Sequence, residues 1–222
     1  REALIRRRPE LLVLIDFPDF NLHLAGIAKT RGIPVLYYIS PQIWAWRRQR
    51  VRQIRRLVDH MAVILPFEAA FYRRHGVPVS FVGNPLLDQP MPSTRIDRHG
   101  PPDQPPTIGL LPGSRDSEVS RLLPPLLGAA VRLQRRIAAR FLLSRAESVT
   151  PQLVDRIITA HCSGLRLEIR DGAPASVYQS SDLIIAASGT ATLEAALYAT
   201  PMIIVYRVSS LSYHLGKALI RV

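Results

Sequence analysis

The chain has 222 residues, 47% of them hydrophobic, and a net charge of +12 supplied almost wholly by arginine. That length supports one large domain or two modest ones, each with a real core. No run approaches the ~20 apolar residues that span a bilayer, and the lone cysteine, Cys162, excludes an intrachain disulfide and suits a reducing compartment. The charge points to a polyanionic partner, whether nucleic acid, anionic lipid or a phosphorylated substrate. The chain opens on Arg1 and stops at Val222 straight after an apolar stretch, so it reads as a piece of a longer protein.

Nine short apolar runs are predicted strands: Leu11–Ile15, Pro34–Ile39, Met61–Leu65, Val79–Val82, Thr107–Leu111, Phe141–Ser144, Leu165–Ile169, Leu183–Ala187 and Met202–Tyr206. Several are bare hydrophobic runs, the pattern of parallel strands buried on both faces. Helical stretches lie between them, which predicts an α/β architecture. Between Pro85 and Pro106 stand seven prolines with almost no apolar periodicity. This stretch reads as a linker, so that residues 1–87 form one unit, 88–106 the connection and 107–222 a second unit.

The first strand runs into "IDFPDFN", Ile15 to Asn21. Ligands of open parallel sheets bind beyond the carboxyl ends of strands. Asp16 follows the strand directly and is a candidate general base. Asp19 and Asn21 suit caps of a helix expected near Leu22, and Asp19 is a second candidate contact at the site. Next comes "YYISPQIWAWRRQRVRQIRR", Tyr37 to Arg56. Val51, Ile54 and Val58 recur at helical spacing among arginines, which predicts a basic amphipathic helix with Trp44 and Trp46 at its start. Such a helix can rest on anionic lipid through Trp44, Trp46, Arg47 and Arg48; a merely solvated face gives the same pattern.

Two strand-turn-helix motifs follow in the second half. In "IGLLPGSRDSEV", Gly113 permits a tight turn, Ser114 suits a helix cap, Arg115 stands at the mouth and Glu118 lies in the first helical turn. A helix N-terminus with an arginine beside it is suited to phosphate, although an ordinary turn with a surface arginine has the same residues. In "DLIIAASGTATLEAAL", the small residues Ser188, Gly189 and Thr190 let backbone N–H groups approach an anion, and Glu194 lies about one turn further on, where it can accept from a ribose. Two such turns in one half-chain point to a nucleoside diphosphate. No GxxxxGK[ST] or GxGxxG is present, which argues against an ATPase and a dinucleotide oxidoreductase. The six histidines have no metal-ligand spacing, so no metal is expected.

The motifs "IDFPDFN", "YYISPQIWAWR", "LPFE", "FVGNPLLD", "LLPGSRDSEV", "ASGTATLE" and "PMIIVYR" occur in this order along the whole chain. Together they resemble the lipid-A-disaccharide synthases. The resemblance implies two Rossmann-like domains of the GT-B type, both incomplete here, with an active site in the cleft between them. It implies transfer of 2,3-diacylglucosamine from UDP-2,3-diacylglucosamine to 2,3-diacylglucosamine 1-phosphate, a lipid X type acceptor. A β-1,6 disaccharide and UDP are formed with inversion, and no cofactor is involved beyond the UDP-sugar substrate.

By the same resemblance Asp16 is the base and Arg115 a catalytic arginine. Gly113, Ser114, Glu118, Ser188, Gly189, Thr190 and Glu194 contact UDP, while Asn84 and Arg207 stand near the acceptor. The family usually has histidine at the place of Asn84, and its glycine-rich first strand-turn and last segment are missing from this sequence. The implied location is cytoplasmic, peripheral to the inner membrane of a Gram-negative bacterium, with a homo-oligomer as an open assembly state. The competing readings are another GT-B enzyme acting on a UDP-amino sugar, such as a peptidoglycan N-acetylglucosaminyltransferase or an epimerase-like protein, and a basic nucleic-acid-binding module. The "SPQIWAWR" segment speaks against the first pair. The lack of an RNP strand, zinc finger or GxxG clamp speaks against the last.

Overall fold

The computed structural model describes residues 2–88, 104–161, 164–172 and 174–207. The expected linker falls mostly in 89–103, and Cys162, His99 and His214 also lie outside the described residues. All nine expected strands are present, with ends shifted by one or two residues. The described residues fall into two compact units.

The first unit starts with a short helix, α1 (Glu2–Arg7), and then alternates strand and helix: β1 (Leu12–Ile15), α2 (Pro18–Lys29), β2 (Val35–Tyr38), α3 (Arg50–Leu57), β3 (His60–Val63), α4 (Pro66–Arg74) and β4 (Val79–Phe81). The strands are all parallel and lie in sequence order, β1-β2-β3-β4. Leu14, Val35, Tyr37, Met61 and Val63 pack against Leu22, Ala25, Val51, Ile54, Ala69 and Tyr72 of the helices. The expectation of strands buried on both faces fails at β1. There Leu14 is buried, but Val13 is 48% exposed and Ile15 56% exposed. The run is apolar throughout, yet only one of its faces meets helices among the described residues.

The second unit comprises β5 (Thr107–Leu111), α5 (Asp116–Gln134), β6 (Arg140–Arg145), α6 (Pro151–His161), β7 (Leu167–Asp171), α7 (Pro174–Ser180), β8 (Leu183–Ala187), α8 (Thr190–Leu197) and β9 (Met202–Val205). Its parallel sheet has the order β7-β6-β5-β8-β9. Here the double burial holds for β5, β6 and β8, while the edge strands β7 and β9 are partly exposed. Ile108, Leu110, Phe141 and Leu143 meet Val119, Leu123, Leu127 and Val154 on one side. Leu111, Leu142, Ile184 and Ala186 meet Val177, Tyr178 and Ala195 on the other. The buried residues of α5, Val119, Leu122, Leu123, Leu126, Leu127 and Ala130, keep the spacing of one helical face. Gly109 in central β5 is required by close approach, because a Cβ there would lie 2.7 Å from Ser181 Oγ and 2.9 Å from Val177 Cγ1.

Strand order decides where a ligand can enter such a sheet. From β5 the chain builds outward through β6 and β7, then returns to place β8 on the other side of β5. The reversal leaves a crevice at the carboxyl ends of β5 and β8, the usual binding position in doubly wound sheets.

Candidate active-site elements

In the first unit β1 delivers Asp16 to the carboxyl end of the sheet. Asp16 and Phe17 are both left-handed, at φ 47° and 41°. Non-glycine residues rarely adopt that region, and each one costs about 1–3 kcal/mol unless its surroundings hold it there. The surroundings do. Asp16 N–H donates to Tyr38 O at 3.1 Å. The Tyr37 hydroxyl donates to Asp16 O at 2.5 Å. Asn21 Nδ2 donates to Asp16 O at 2.7 Å and to Ile15 O at 2.9 Å. Asn21 is only 8% exposed, and burial pushes the Tyr37 hydroxyl up to about 12, with Asp16 among the charges that raise it further. Neutral, buried donors therefore fix the Asp16 backbone, and its side chain stands exposed beyond the strand.

This arrangement corrects the sequence expectation for Asp19 and Asn21. The helix does not begin near Leu22. It begins at Pro18, a residue whose ring pre-sets the helical φ, and Phe17 is its N-cap without any side-chain cap. Asn21 is inside the helix and reaches back to the strand end. Asp19, on the first turn, pairs with Arg50 of α3 and lies 3.7 Å from Arg47 Nη1. Its carboxylate ties α2 to the start of α3.

The tryptophans are not on the basic helix. α3 begins at Arg50, and Trp44 and Trp46 belong to the irregular segment between β2 and α3. Glu68 on the first turn of α4 anchors that segment. It is buried, and it accepts from Ser40 Oγ at 2.6 Å, Trp44 Nε1 at 3.3 Å and Leu65 N–H at 3.1 Å. Trp44 also meets Phe67 edge-on at 4.9 Å between ring centroids. Trp46 is exposed and carries the Arg47 guanidinium over its ring at 4.2 Å, while Arg48 Nε donates to Trp44 O at 2.9 Å. Asn84 follows β4, three strands away from β1, and its Oδ1 accepts from Leu86 N–H at 3.0 Å. The structure does not bring Asn84 beside Asp16.

In the second unit both small-residue turns lie at the crevice. β5 and β8 pair in register, Leu111 opposite Ala186. Beyond β5, Gly113 has φ 117°, and a Cβ there would come within 2.6–2.8 Å of Glu118. The cap of α5 is Arg115, not Ser114, and no side chain caps it. Instead Glu118 closes the turn. It accepts from Ser114 N–H at 3.1 Å and from Arg115 Nη1 at 2.6 Å. Arg115 is 75% exposed. Two further bonds fix the turn against the loop after β6. Ser148 Oγ donates to Ser114 O at 2.7 Å, and Asp116 accepts from Thr150 N–H at 2.9 Å and Thr150 Oγ1 at 2.6 Å. The Thr150 hydroxyl and N–H hold the Asp116 carboxyl below its usual range.

Beyond β8, Ser188 N–H donates to Val205 O at 3.1 Å, and Gly189 opens α8. Gly189 is extended, and among the described residues nothing lies within 4 Å of where its Cβ would be. Neither backbone conformation nor crowding within the protein calls for glycine here. Glu194, a turn further along α8, accepts from the Tyr178 hydroxyl at 3.1 Å. Burial, and then the Glu194 charge, raise the pKa of Tyr178, so it remains a donor. Arg207 is exposed at the carboxyl end of β9, beside β8. Among the described residues no three His, Cys, Asp or Glu side chains are grouped to hold a metal ion, and no helix is long and apolar enough to cross a membrane.

A family model described as lipid-A-disaccharide synthetase matches residues 1–222. The lipid-A-disaccharide synthase of Geobacter sulfurreducens is 47% identical over 227 residues, covering 100% of this chain and 59% of that relative. That of Syntrophus aciditrophicus is 51% identical, covering 97% of this chain and 57% of that relative. The chain thus spans less than two thirds of the curated relatives it matches. Among solved structures, the S. aureus MnaA-UDP co-structure aligns with a TM-score of 0.64 at 12% identity, over 97% of this chain and 63% of that one. UDP-GlcNAc 2-epimerase from Neisseria meningitidis bound to UDP-GlcNAc aligns at 0.60 and 13% identity, over 97% and 64%. At such identities the likeness speaks for the fold alone.

Proposed function

The chain belongs to the lipid-A-disaccharide synthase family, and from that premise we propose that its two units supply the base and the diphosphate-binding groups of an inverting glycosyltransferase. The donor is UDP-2,3-diacylglucosamine, the acceptor 2,3-diacylglucosamine 1-phosphate, and the products are the β-1,6 disaccharide and UDP. In this reading the Asp16 carboxylate takes the proton of the acceptor hydroxyl. The acceptor oxygen attacks the anomeric carbon from the face opposite UDP. The bond from that carbon to the diphosphate oxygen breaks, and UDP leaves with the electron pair.

The departing charge is met by Arg115 and by the N-termini of α5 and α8, where unpaired backbone N–H groups and the helix dipole favour an anion. The surface pair Arg115–Glu118 is worth no more than about 1 kcal/mol, so a diphosphate can draw the guanidinium away. Glu118 then keeps the Ser114 N–H and the shape of the turn. Gly189 lets the diphosphate approach the backbone closely, which gives a reason for a glycine that the protein itself does not require. Ser188, Thr190 and Glu194 complete the nucleotide side. In this reading residues 1–87 form the first unit and the chain from 107 on the second, joined through 88–106. Contact with an anionic membrane falls to Trp46, Arg47 and Arg48, steadied by Trp44, on the cytoplasmic side.

The observation that carries this reading is the pairing of two small-residue turns on adjacent strands β5 and β8, at the reversal of strand order. The test is UDP release by the full-length native chain carrying this sequence. It should appear with 2,3-diacylglucosamine 1-phosphate and not with an undecaprenyl-linked acceptor. Release only with the latter overturns the assignment.

A further inference from the structure

The first unit has a second polar feature, at the opposite edge of its sheet from Asp16. α3 and α4 run antiparallel to the strands, so their carboxyl ends lie where β3 and β4 begin. Between those ends is an open groove of about 800 Å³, lined by Arg52, Arg55 and Arg56 from α3, by Arg74 at the end of α4 and by His75 and Gly76 just after it. A helix C-terminus favours cations, which accounts for an arginine or two on each helix. It does not account for five cationic or basic side chains converging on one cavity. Among the described residues, none of these arginines has a carboxylate within ion-pair distance.

The groove is also shaped. Gly76, at φ 69°, has Arg55 folded across it, since a Cβ there would lie 3.6 Å from Arg55 Cδ and 3.8 Å from Nη1. Arg74 Nε donates to Ala70 O at 3.1 Å, which holds the base of the guanidinium and leaves its terminal nitrogens to the groove. His75 bonds Phe71 O through Nδ1 at 2.8 Å, and its ring packs on Phe71 at 4.5 Å. That bond takes up the Nδ1–H, and Nε2 of the neutral ring is then an acceptor, so the histidine walls the groove while the arginines supply its donors. Like charges held together repel unless an anion neutralises them, and guanidinium forks match phosphate oxygens in geometry.

We propose that this groove is a binding site for a phosphate-bearing anion of two or more negative charges, separate from the donor site of the second unit. A soluble phosphate compound and the phosphomonoester headgroup of a lipid share this chemistry. The test compares the full-length native chain with two triple variants. One carries Arg52→Gln, Arg55→Gln and Arg74→Gln. The other removes equal charge elsewhere through Arg132→Gln, Arg135→Gln and Arg136→Gln, all exposed and near the end of α5. Each is titrated with inorganic pyrophosphate in saturating UDP, and sedimented with phosphatidylcholine vesicles with and without phosphatidic acid.

Binding should weaken at least tenfold in the groove variant and remain within about twofold in the control, with UDP affinity unchanged in both. A loss in the pyrophosphate arm alone assigns a soluble ligand. A loss in the phosphatidic acid arm, with or without the other, assigns a headgroup. Equal binding by native chain and groove variant in both arms overturns the proposal, as does an equal loss in the control, which would make total charge the cause. Because UDP affinity is read separately, failure of the donor-site reading is not confused with failure of this one.

Discussion

The turn after β1 and the turn after β8 both end a parallel strand and open a helix, yet they are built in opposite ways. At Asp16 two successive non-glycine residues are left-handed, and the strand-end carbonyls are taken up by Asn21 and Tyr37. At Gly189 the backbone is extended and no atom of the described residues lies within 4 Å of the missing Cβ. A group that must present one carboxylate to one hydroxyl has to be positioned by the protein in advance. A group that must let a diphosphate approach peptide N–H donors has to be left open. The contrast is between strain held by buried donors and space held by the lack of a side chain.

The largest effect expected comes from the charge itself. Asp16→Asn keeps the carbonyl bonds to Asn21 and Tyr37 and removes only the proton acceptor. UDP release by the full-length chain should fall about 10²–10⁴-fold, with the thermal midpoint unchanged. Near-native turnover would leave the positioned turn without its proposed purpose. At the open turn the corresponding change is Gly189→Ala. The extended φ and the empty surroundings predict a stability change within about 0.5 kcal/mol. A methyl group in the diphosphate's path should cost a charge-assisted hydrogen bond, about 1.5–3 kcal/mol, and so tenfold or more in UDP affinity by calorimetry. Unchanged affinity would mean the space serves something else.

Asn21→Leu tests the other half of the comparison. It keeps a buried volume of similar size and leaves the Ile15 carbonyl without this donor, while Asp16 O retains Tyr37. Unfolding by urea should show a loss of about 1–3 kcal/mol, with catalytic rate falling more than donor affinity. A variant as stable as the native chain would show that the left-handed pair needs no such support.

These pairs of residues also show how far the sequence could be read. All nine strands were legible because parallel strands make short apolar runs between turn residues, and the two glycine turns were legible from the small residues that end β5 and β8. The start of α2 was not. Leu22 begins the buried face of that helix, so the apolar pattern points there, but Pro18 and the left-handed Phe17 start the helix a turn earlier. Asn21 then acts backward onto β1, a tertiary contact that no local pattern announces. Glu68 is legible only as part of a motif, since its bonds to Ser40 and Trp44 join residues 28 and 24 positions away. The role of Asp116 is not legible locally, because its partner, Thr150, is 34 residues on.

The smallest effect expected is a difference in response to pH. The Asp16 turn is held by neutral donors. Its titrating member, Tyr37, is raised to about 12, so its contribution is constant below the ordinary tyrosine value of 10.0 and falls as pH rises from there toward 12. The α5 turn is tied to the loop after β6 by a carboxylate. Asp116 has a folded pKa below its ordinary 3.8, so the unfolded chain binds its proton first as pH falls. Its contribution is therefore complete above the unfolded value and is lost as pH drops through the lowered folded one. Thr150→Val removes the hydroxyl that is the larger cause of that shift. The acid response of the residue 150 amide, which donates to Asp116, should then move up toward the ordinary carboxylate range, while the Asp16 and Phe17 amides respond alike in both proteins. Because Asp116 is exposed, the change belongs to local order at the α5 turn and not to global unfolding. An acid response at residue 150 that is the same in both proteins would show that the hydroxyl does not hold the Asp116 carboxylate, and that the two turns do not differ in this way.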